Sequence, residues 1–469
     1  MDKYKKLVNN SLIFAIGNFG SKALQFILVP LYSYTLTTNQ FGEVDVLTTL
    51  VSLLSPLVCL DIYDAVFRYA LDRSADKKKV FNSGIIFLFG ISIFLFLFFL
   101  GINLFFPLKK YLLALILLIV SMVSSLISNY ARAANYVKQF AVSGILNTFS
   151  IGVLNVLMLL VWKMGVTGYL LSMILGLTIS SIYLLVVLNF KNLFSFSKFS
   201  LLTLKEMIIY SIPLIPNALA WWLNSSSDRF FILFFIGASA NGLYAMANKI
   251  PNILNMLSNI FFQSWQMSVV DEFYEDNSKK FISNVFNYFV SFMFLCSIGI
   301  LALLKPIFRL FINGSYYSAW EVTPLVLLAV IYSSFSAFIG TMYTASKKTV
   351  PIFLTTLVGA IVNIIASLIF VKIFGINGAA LANVISFLVV SVLRYRDMHS
   401  ADKLNANIFN LLANHIIFAV AVLLLFFEKN IYFYMIFCLI LIIVQLAINK
   451  KLLFEILNYV KKIIRRKKI

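Results

Sequence analysis

KKKVFNSGIIFLFGISIFLFLFFLGINLFFPLKK (77–110) begins on three lysines and ends on two, and residues 80–106 between them carry no charge. A helix rises about 1.5 Å per residue, so a run of this length crosses the roughly 30 Å hydrocarbon core of a bilayer. The stretch reads as a membrane-spanning helix whose basic ends mark where it leaves the lipid.

Working outward, runs of the same kind fall near residues 11–36, 42–66, 81–104, 111–131, 140–162, 166–190, 208–236, 241–268, 281–303, 322–343, 351–373, 376–395, 406–427 and 431–448. Fourteen such helices need about 280 apolar residues, close to 61% of a 469-residue chain. Only 12% of the residues are charged, roughly half the share of a soluble protein, and no polar stretch is long enough to hold a soluble domain. The N-terminal MDKYKK leads straight into an apolar segment without a small-residue cleavage site, so a retained first helix is expected. Cys59, Cys296 and Cys438 are scattered through apolar segments and read as packing residues.

The formal charge is +20. One set of connections, counted with both ends of the chain and with Arg394, Arg396 and Lys403 among them, carries 28 Lys and Arg, and the alternate set carries 7. The positive-inside rule then predicts an inner, cytoplasmic membrane protein with both termini in the cytoplasm, which requires an even number of helices. The charge serves topology, so no nucleic-acid partner is expected.

The chain also repeats itself. KMGVTGYLLS (163–172) and KIFGINGAALAN (372–383) share a Gly-x-x-Gly turn, Gly165 with Gly168 and Gly375 with Gly378, and TTNQFGEV (37–44) recurs in position as ASANGLYA (238–245). Six helices per repeat give both halves one orientation about an axis along the membrane normal. The expected fold class is all-α: a polytopic membrane protein of about 14 transmembrane helices, with two six-helix lobes in a pseudo-twofold repeat plus two extra C-terminal helices. The expected domains are an N-lobe (1–190), a cytoplasmic linker (191–205), a C-lobe (206–395), the last two helices (406–448) and a basic tail (449–469). In that tail Leu452, Leu453, Ile456, Leu457, Val460, Ile463 and Ile464 share one face opposite Lys and Arg, as in a helix lying on an anionic leaflet.

Ionisable and amide groups inside spanning helices are costly and usually face a cavity or a partner. Lys22 shares a face with Ser11, Asn18 and Gln25. The seventh span places Asn217, Trp221, Asn224 and Asp228 at spacings of 4, 3 and 4, with Arg229 beside them and Pro213 and Pro216 set to bend it. The eighth aligns Asn248, Asn252, Asn255, Asn259, Gln263 and Gln266, flanked by Lys249, and the second carries Asp45, Thr48, Thr49, Ser52, Ser55 and Cys59. Interhelical glue accounts for one or two such amides; matched stripes on four helices point to a hydrated cavity. Neighbours in a helix diverge by about 100°, so Asp228 is expected to reach another helix, for instance at Lys249. Lys22, Arg68, Arg229 and Lys249 make the lining cationic, which suits an anionic cargo such as a phosphate or pyrophosphate, and Trp221 and Trp222 offer flat faces suited to sugar rings. Asp61 and Asp64 are positioned to pair with Arg68 or Arg73, or to bind a coupling proton or Na⁺. No other cofactor is expected, since P-loop, HExxH, Cys-pair and nucleotide-sugar Asp-x-Asp motifs are all missing. Transport fits these residues better than covalent chemistry.

Five segments then resemble the polysaccharide repeat-unit flippases (the Wzx type) of the multidrug/oligosaccharidyl-lipid/polysaccharide exporter superfamily: NNSLIFAIGNFGSKALQFILVPLYSYTLTTNQFGEVD (9–45), AVFRYAL (65–71), YSIPLIPNALAWWLNSSSDRFFI (210–232), GLYAMANKIPNIL (242–254) and KIFGINGAALANVIS (372–386). The resemblance implies two lobes around a central cationic cavity opening alternately to each side. It implies a cargo of oligosaccharide on undecaprenyl pyrophosphate, passed to the outer leaflet for capsule, exopolysaccharide or O-antigen assembly. Membrane lipids, a polysaccharide polymerase and assembly proteins are the implied partners. The basic residues that match the family's pyrophosphate contacts are Lys22, Arg68, Arg229 and Lys249, with Lys at the first-helix position in place of the bidentate fork of Arg. The alternatives are a cation-coupled multidrug exporter of the same superfamily, disfavoured by the cationic lining, and a membrane-embedded polymerase, disfavoured by the shortness of the longest outward loop, roughly Lys305 to Glu321.

Overall fold

The computed structural model describes residues 26–72, 75–105, 111–275, 278–346, 348, 350–428 and 430–448. Lys22, Asn18, Gln25 and the tail 450–469 lie outside the described residues. The chain is a polytopic all-α membrane protein. Eleven described helices are long and apolar enough to cross a membrane, and three further expected spans account for the rest of the fourteen. The first is described only over its last part, α1 (Phe26–Thr35). The seventh is cut into α8 (Leu201–Ser211), α9 (Ile215–Ser226) and α10 (Asp228–Phe235), with a 3₁₀ turn at Ile212–Leu214 carrying Pro213. The eighth breaks before Pro251 into α11 (Ala238–Lys249) and α12 (Pro251–Glu272). Proline lacks the N–H that would continue the ladder, so each interruption follows from the sequence.

Residue contacts divide the chain into two compact units, Met1–Ala245 and Met246–Ile469. The first holds α2 (Thr38–Val58), α3 (Ile62–Ala70), α4 (Lys77–Phe105), α5 (Leu112–Ala133), α6 (Val137–Asn155) and α7 (Gly165–Val187), with α8 to α10. Thr37 starts α2 with a capping box: its hydroxyl accepts from the Gln40 N–H at 3.2 Å, and the Gln40 side chain accepts from the Thr37 N–H at 3.0 Å. Pro56 leaves the Ser52 carbonyl without its helical partner, α2 stops at Val58, and Leu60 and Asp61 take φ of 51° and 53° before α3 begins. Two successive non-glycine residues in the left-handed region are held there only because their surroundings over-determine them. Cys59, Ile62, Phe81, Leu88, Met122, Leu126 and Met207 form the buried core around this break. Gly176 admits the close packing of α6 on α7, since a Cβ there would meet Ile151 and Asn147.

The second unit holds α12, α13 (Ser278–Phe311), α14 (Thr323–Ala345), α15 (Val350–Phe374), α16 (Ile376–Ser400), α17 (Ile408–Phe427) and α18 (Ile431–Ile448). Amides fasten its helices together. Asn363 donates to the Asn383 side chain at 2.7 Å between α15 and α16. Gln445 of α18 donates to Asn414 of α17 at 2.6 Å and to the Ser291 carbonyl of α13 at 3.1 Å. Asn410 completes the set by donating to the Ser291 hydroxyl at 3.0 Å. A buried amide that loses its partner costs about 1–3 kcal/mol, so these bonds select which faces of the last two helices dock.

Both Gly-x-x-Gly turns place their first glycine at positive φ, 56° at Gly165 and 59° at Gly375, and Gly168 and Gly378 leave no room for a Cβ. Two expectations about connections change. The outward loop expected from Lys305 starts after Phe311, because α13 accommodates Pro306 and continues. Arg394, counted with a connection, is buried, because α16 runs on to Ser400.

Candidate functional site

In the first unit, the starts of α2 and α11 meet backbone to backbone. A Cβ on Gly42 would run into the Ala238 carbonyl and one on Gly242 into the Thr38 carbonyl, while the Thr38 and Ser239 hydroxyls share a hydrogen bond of 2.7 Å. The contact is reciprocal, 42 with 238 and 242 with 38, as expected of two copies of one motif about a pseudo-twofold axis. It pairs 38 with 238, one residue out from the register of 37–44 on 238–245.

One turn further along α2 lies a cluster of charges. Asp45 Oδ2 stands 2.9 Å from Arg229 Nε and accepts from Asn241 Nδ2 at 3.3 Å. Asn241 also donates to the Gly42 carbonyl at 3.1 Å, tying the cluster to the glycine contact. Asp228 Oδ1 accepts from the Arg229 backbone N–H at 2.9 Å and from its Nη1 at 3.2 Å, and Oδ2 accepts from the Tyr244 hydroxyl. The guanidinium carbon also lies over the Tyr244 ring, 5.9 Å from its centroid. Asp228 therefore reaches its own neighbour, against the divergence expected of consecutive residues. The reason is local: the helix breaks at Ser227, so Asp228 opens α10 and its carboxylate accepts the N–H of the next residue, in the first turn of that helix. The guanidinium expected to hold a pyrophosphate is thus engaged by two carboxylates.

The other expected site residues are distributed as follows. Asn217 is exposed, Trp221 is half-buried, and Asn224 is buried with neither amide atom hydrogen-bonded. Arg68 is exposed in the last turn of α3 with no ion-pair partner among the described residues. In the second unit Asn248 and Lys249 are half-buried at the end of α11. Asn252 and Asn259 are exposed, and Asn255 donates to Asn252 at 3.3 Å. At Asn252, Asn259 and Gln266 the stripe on α12 is therefore open rather than sealed between helices. Buried amide glue lies instead at Asn363, Asn383, Asn410, Asn414 and Gln445, where Asn410 and Asn414, spaced by four on an apolar helix, were the available signal.

The α2 stripe, expected to face a hydrated cavity, lines one of about 450 Å³ in the first unit, at the α2–α3 break that the sequence reading did not place. Thr48, Ser52, Ser55, Asp61, Tyr63 and Asp64 line it from that broken helix, with Ser121 from α5 and Ala218, Leu219 and Trp222 from α9. Trp222 Nε1 donates to the Ser52 hydroxyl at 3.0 Å. Asp61 is 4% exposed. It stands at the backbone break and lines the cavity. The size falls in the range of ligand pockets, roughly 300–1,000 Å³. A cavity of about 450 Å³ in the second unit is lined mainly by apolar side chains such as Phe286, Phe335 and Leu388.

Comparison with known proteins bears on the family and the fold. Residues 7–265 match the model of a family described as polysaccharide biosynthesis protein. The fold is similar to that of a structure titled lipid II flippase MurJ, inward closed conformation, with a TM-score of 0.71, 15% identity, and coverage of 95% of this chain and 99% of that one. It is also similar to inward-facing and outward-facing multidrug resistance MATE transporters of the MOP superfamily. Their TM-scores are 0.64 and 0.59, each at 13% identity, covering 83% and 84% of this chain and 99% and 96% of theirs. No curated protein matches the chain in sequence.

Proposed function

We propose that this chain, which belongs to the polysaccharide biosynthesis protein family, is a flippase that carries undecaprenyl-pyrophosphate-linked oligosaccharide units from the inner to the outer leaflet of the bacterial cytoplasmic membrane. In this reading both termini are cytoplasmic, the chain catalyses no covalent step, and the units go on to a capsule, exopolysaccharide or O-antigen polymer. The observation that carries it is the polar cavity of about 450 Å³ among membrane-spanning helices, since carboxylates and hydroxyls set between such helices are costly unless they meet water or cargo. The likeness of the fold to transporters caught facing either side supports alternating access. The reciprocal Gly42–Gly242 contact and the Arg229 cluster would then be made in one state and parted in the other. Arg229, held by carboxylates in this state, would exchange them for the pyrophosphate only after that contact opens, with Lys22, Arg68 and Lys249 as the remaining cationic contacts. A proton or Na⁺ taken up as the carboxylates are released would supply the coupling.

Deleting the gene tests this. Lipid-linked units should accumulate on the inner leaflet, surface polymer should disappear, and the wild-type chain should restore it. Normal polymer in the deletion strain overturns the reading. Hypersensitivity to cationic drugs with normal polymer would make the chain a drug exporter, and altered polymer length without accumulation would make it a polymerase.

A further inference from the structure

The cavity at the α2–α3 break has a donor and acceptor inventory that is unbalanced. The Thr48 hydroxyl donates to the Val44 carbonyl at 2.9 Å, Ser52 to Thr49 at 2.7 Å and Ser121 to Leu118 at 2.8 Å. The Trp222 N–H is given to Ser52. A hydroxyl has one hydrogen and two lone pairs, so these groups, with their hydrogens committed, can only accept. Asp61 and Asp64 add two ionisable carboxyls, of which Asp64 receives one N–H from Asn129 at 3.5 Å. The wall is therefore rich in acceptors, which repels a phosphate and calls for a ligand rich in donors.

Two magnitudes decide which donor. Thr48, Ser52 and Ser55 lie on one face of α2 and spread their acceptors over about 10 Å. The cavity of about 450 Å³ is also some fifteen times the volume share of one water. A single ammonium or metal ion would satisfy the carboxylates and leave the rest of the wall empty. A sugar ring presents hydroxyl donors around its edge and C–H groups on its faces, and the wall opposite α2 is Ala218, Leu219 and Trp222.

We propose that this cavity is a carbohydrate subsite that takes one sugar ring of the cargo, with the ring hydroxyls on Asp61, Asp64 and the α2 hydroxyl oxygens and the ring carbons against α9. It rests on the transport reading above and deepens it: the sugar is recognised by acceptors on α2 and α3, apart from the cationic groups proposed for the pyrophosphate.

Native mass spectrometry of the full chain in detergent, with three probes, tests the assignment: a polyprenyl pyrophosphate without sugar, the same lipid bearing a hexose, and tetraphenylphosphonium. Wild type should favour the glycosylated lipid. Asp61→Asn should lower its occupancy roughly tenfold and leave the sugar-free lipid unchanged. Ser52→Ala, which keeps the helix and the carboxylates, should give a smaller loss in the same direction, with melting temperatures held as the check on folding. Equal binding of both lipids by wild type, or equal loss of both in Asp61→Asn, overturns the subsite and leaves the flippase reading standing. Failure of wild type to bind either lipid removes both. Loss of tetraphenylphosphonium alone in Asp61→Asn makes the cavity a cation site and overturns the carbohydrate assignment.

Discussion

Arg229 in the first unit and Arg394 in the second are both guanidiniums inside membrane-spanning segments, and they are held in opposite ways. Arg229 faces two carboxylates, and its side chain keeps 16% exposure, as Asp45 keeps 19%. Arg394 is 1% exposed and gives its donors to neutral oxygens: the Ser336 carbonyl at 2.8 Å, the Thr355 and Thr356 hydroxyls at 2.9 Å each, and the Ile352 carbonyl at 3.3 Å. Gly340 makes room for it, since a Cβ there would stand 2.9 Å from Nη1. A group that must change partners needs partners it can leave and solvent to leave into. A group that must not move is best surrounded by oxygens from two neighbouring helices. The contrast suits Arg229 to the exchange of partners proposed above, whereas Arg394 is a clamp that joins α14, α15 and α16.

The comparison can be broken most forcefully at the clamp. Arg394→Ala should destabilise the protein by about 3–5 kcal/mol, read as a fall in melting temperature in detergent, because it empties a packed site and strips several charged hydrogen bonds at once. Arg394→Lys should recover little, since a point ammonium cannot span that fork of acceptors; full recovery would show that only the charge matters. At the other arginine, Gly42→Ala pushes a methyl into the Ala238 carbonyl, so a loss of about 1–3 kcal/mol is expected, together with loss of surface polymer. Unchanged stability would mean that the close approach next to the Arg229 cluster is not required. Asp45→Asn should cost less, roughly 1 kcal/mol, because Asp228 still holds the guanidinium, yet it should impair polymer export. A cost equal to that of Arg394→Ala would erase the distinction between the two arginines.

The smallest effect sharpens the contrast from outside the membrane. Asp402, in the loop after α16, pairs with Lys279, and that hydrogen bond and charge hold its carboxyl below the ordinary carboxylate range. A depressed value in the folded state contributes stability that is complete above the unfolded value and is lost as pH falls through the folded one. Melting temperature should therefore drop slightly faster on acidification in wild type than in Asp402→Asn, and added salt should abolish the difference, as for any exposed pair. Asparagine tolerates the φ of 55° at this position, so the substitution isolates charge.

Much of the fold was legible because lipid imposes it. Apolar runs, prolines at 213, 216 and 251, and the two Gly-x-x-Gly turns state where helices run, break and turn, and each of those signals is local. The charged site was half legible. Arg229, Asp228 and Asp45 stood out as ionisable groups in apolar segments, but Asp45 and Arg229 are 184 positions apart, and no periodicity links them. The α2 stripe marked a cavity wall, but the break at Leu60 and Asp61 left only a proline at 56, and nothing local announced that Asp61 and Asp64 join that wall opposite Trp222. Arg394 misled by position, because a basic residue near the end of an apolar run looks like a loop cation until the helix is seen to continue past it.

Hydropathy, proline and glycine by themselves determined that this chain is a bundle of spanning helices with an internal repeat, because a bilayer forces every backbone polar group into helices and a helix reports itself at short range. Only the tertiary structure decided that one arginine is shared by two acids while another is locked among neutral oxygens, and that a polar cavity sits at a helix break. Those outcomes depend on which distant groups arrive within 3 or 4 Å of each other, roughly the reach of a hydrogen bond or an ion pair, and helix packing, not helix formation, sets that distance.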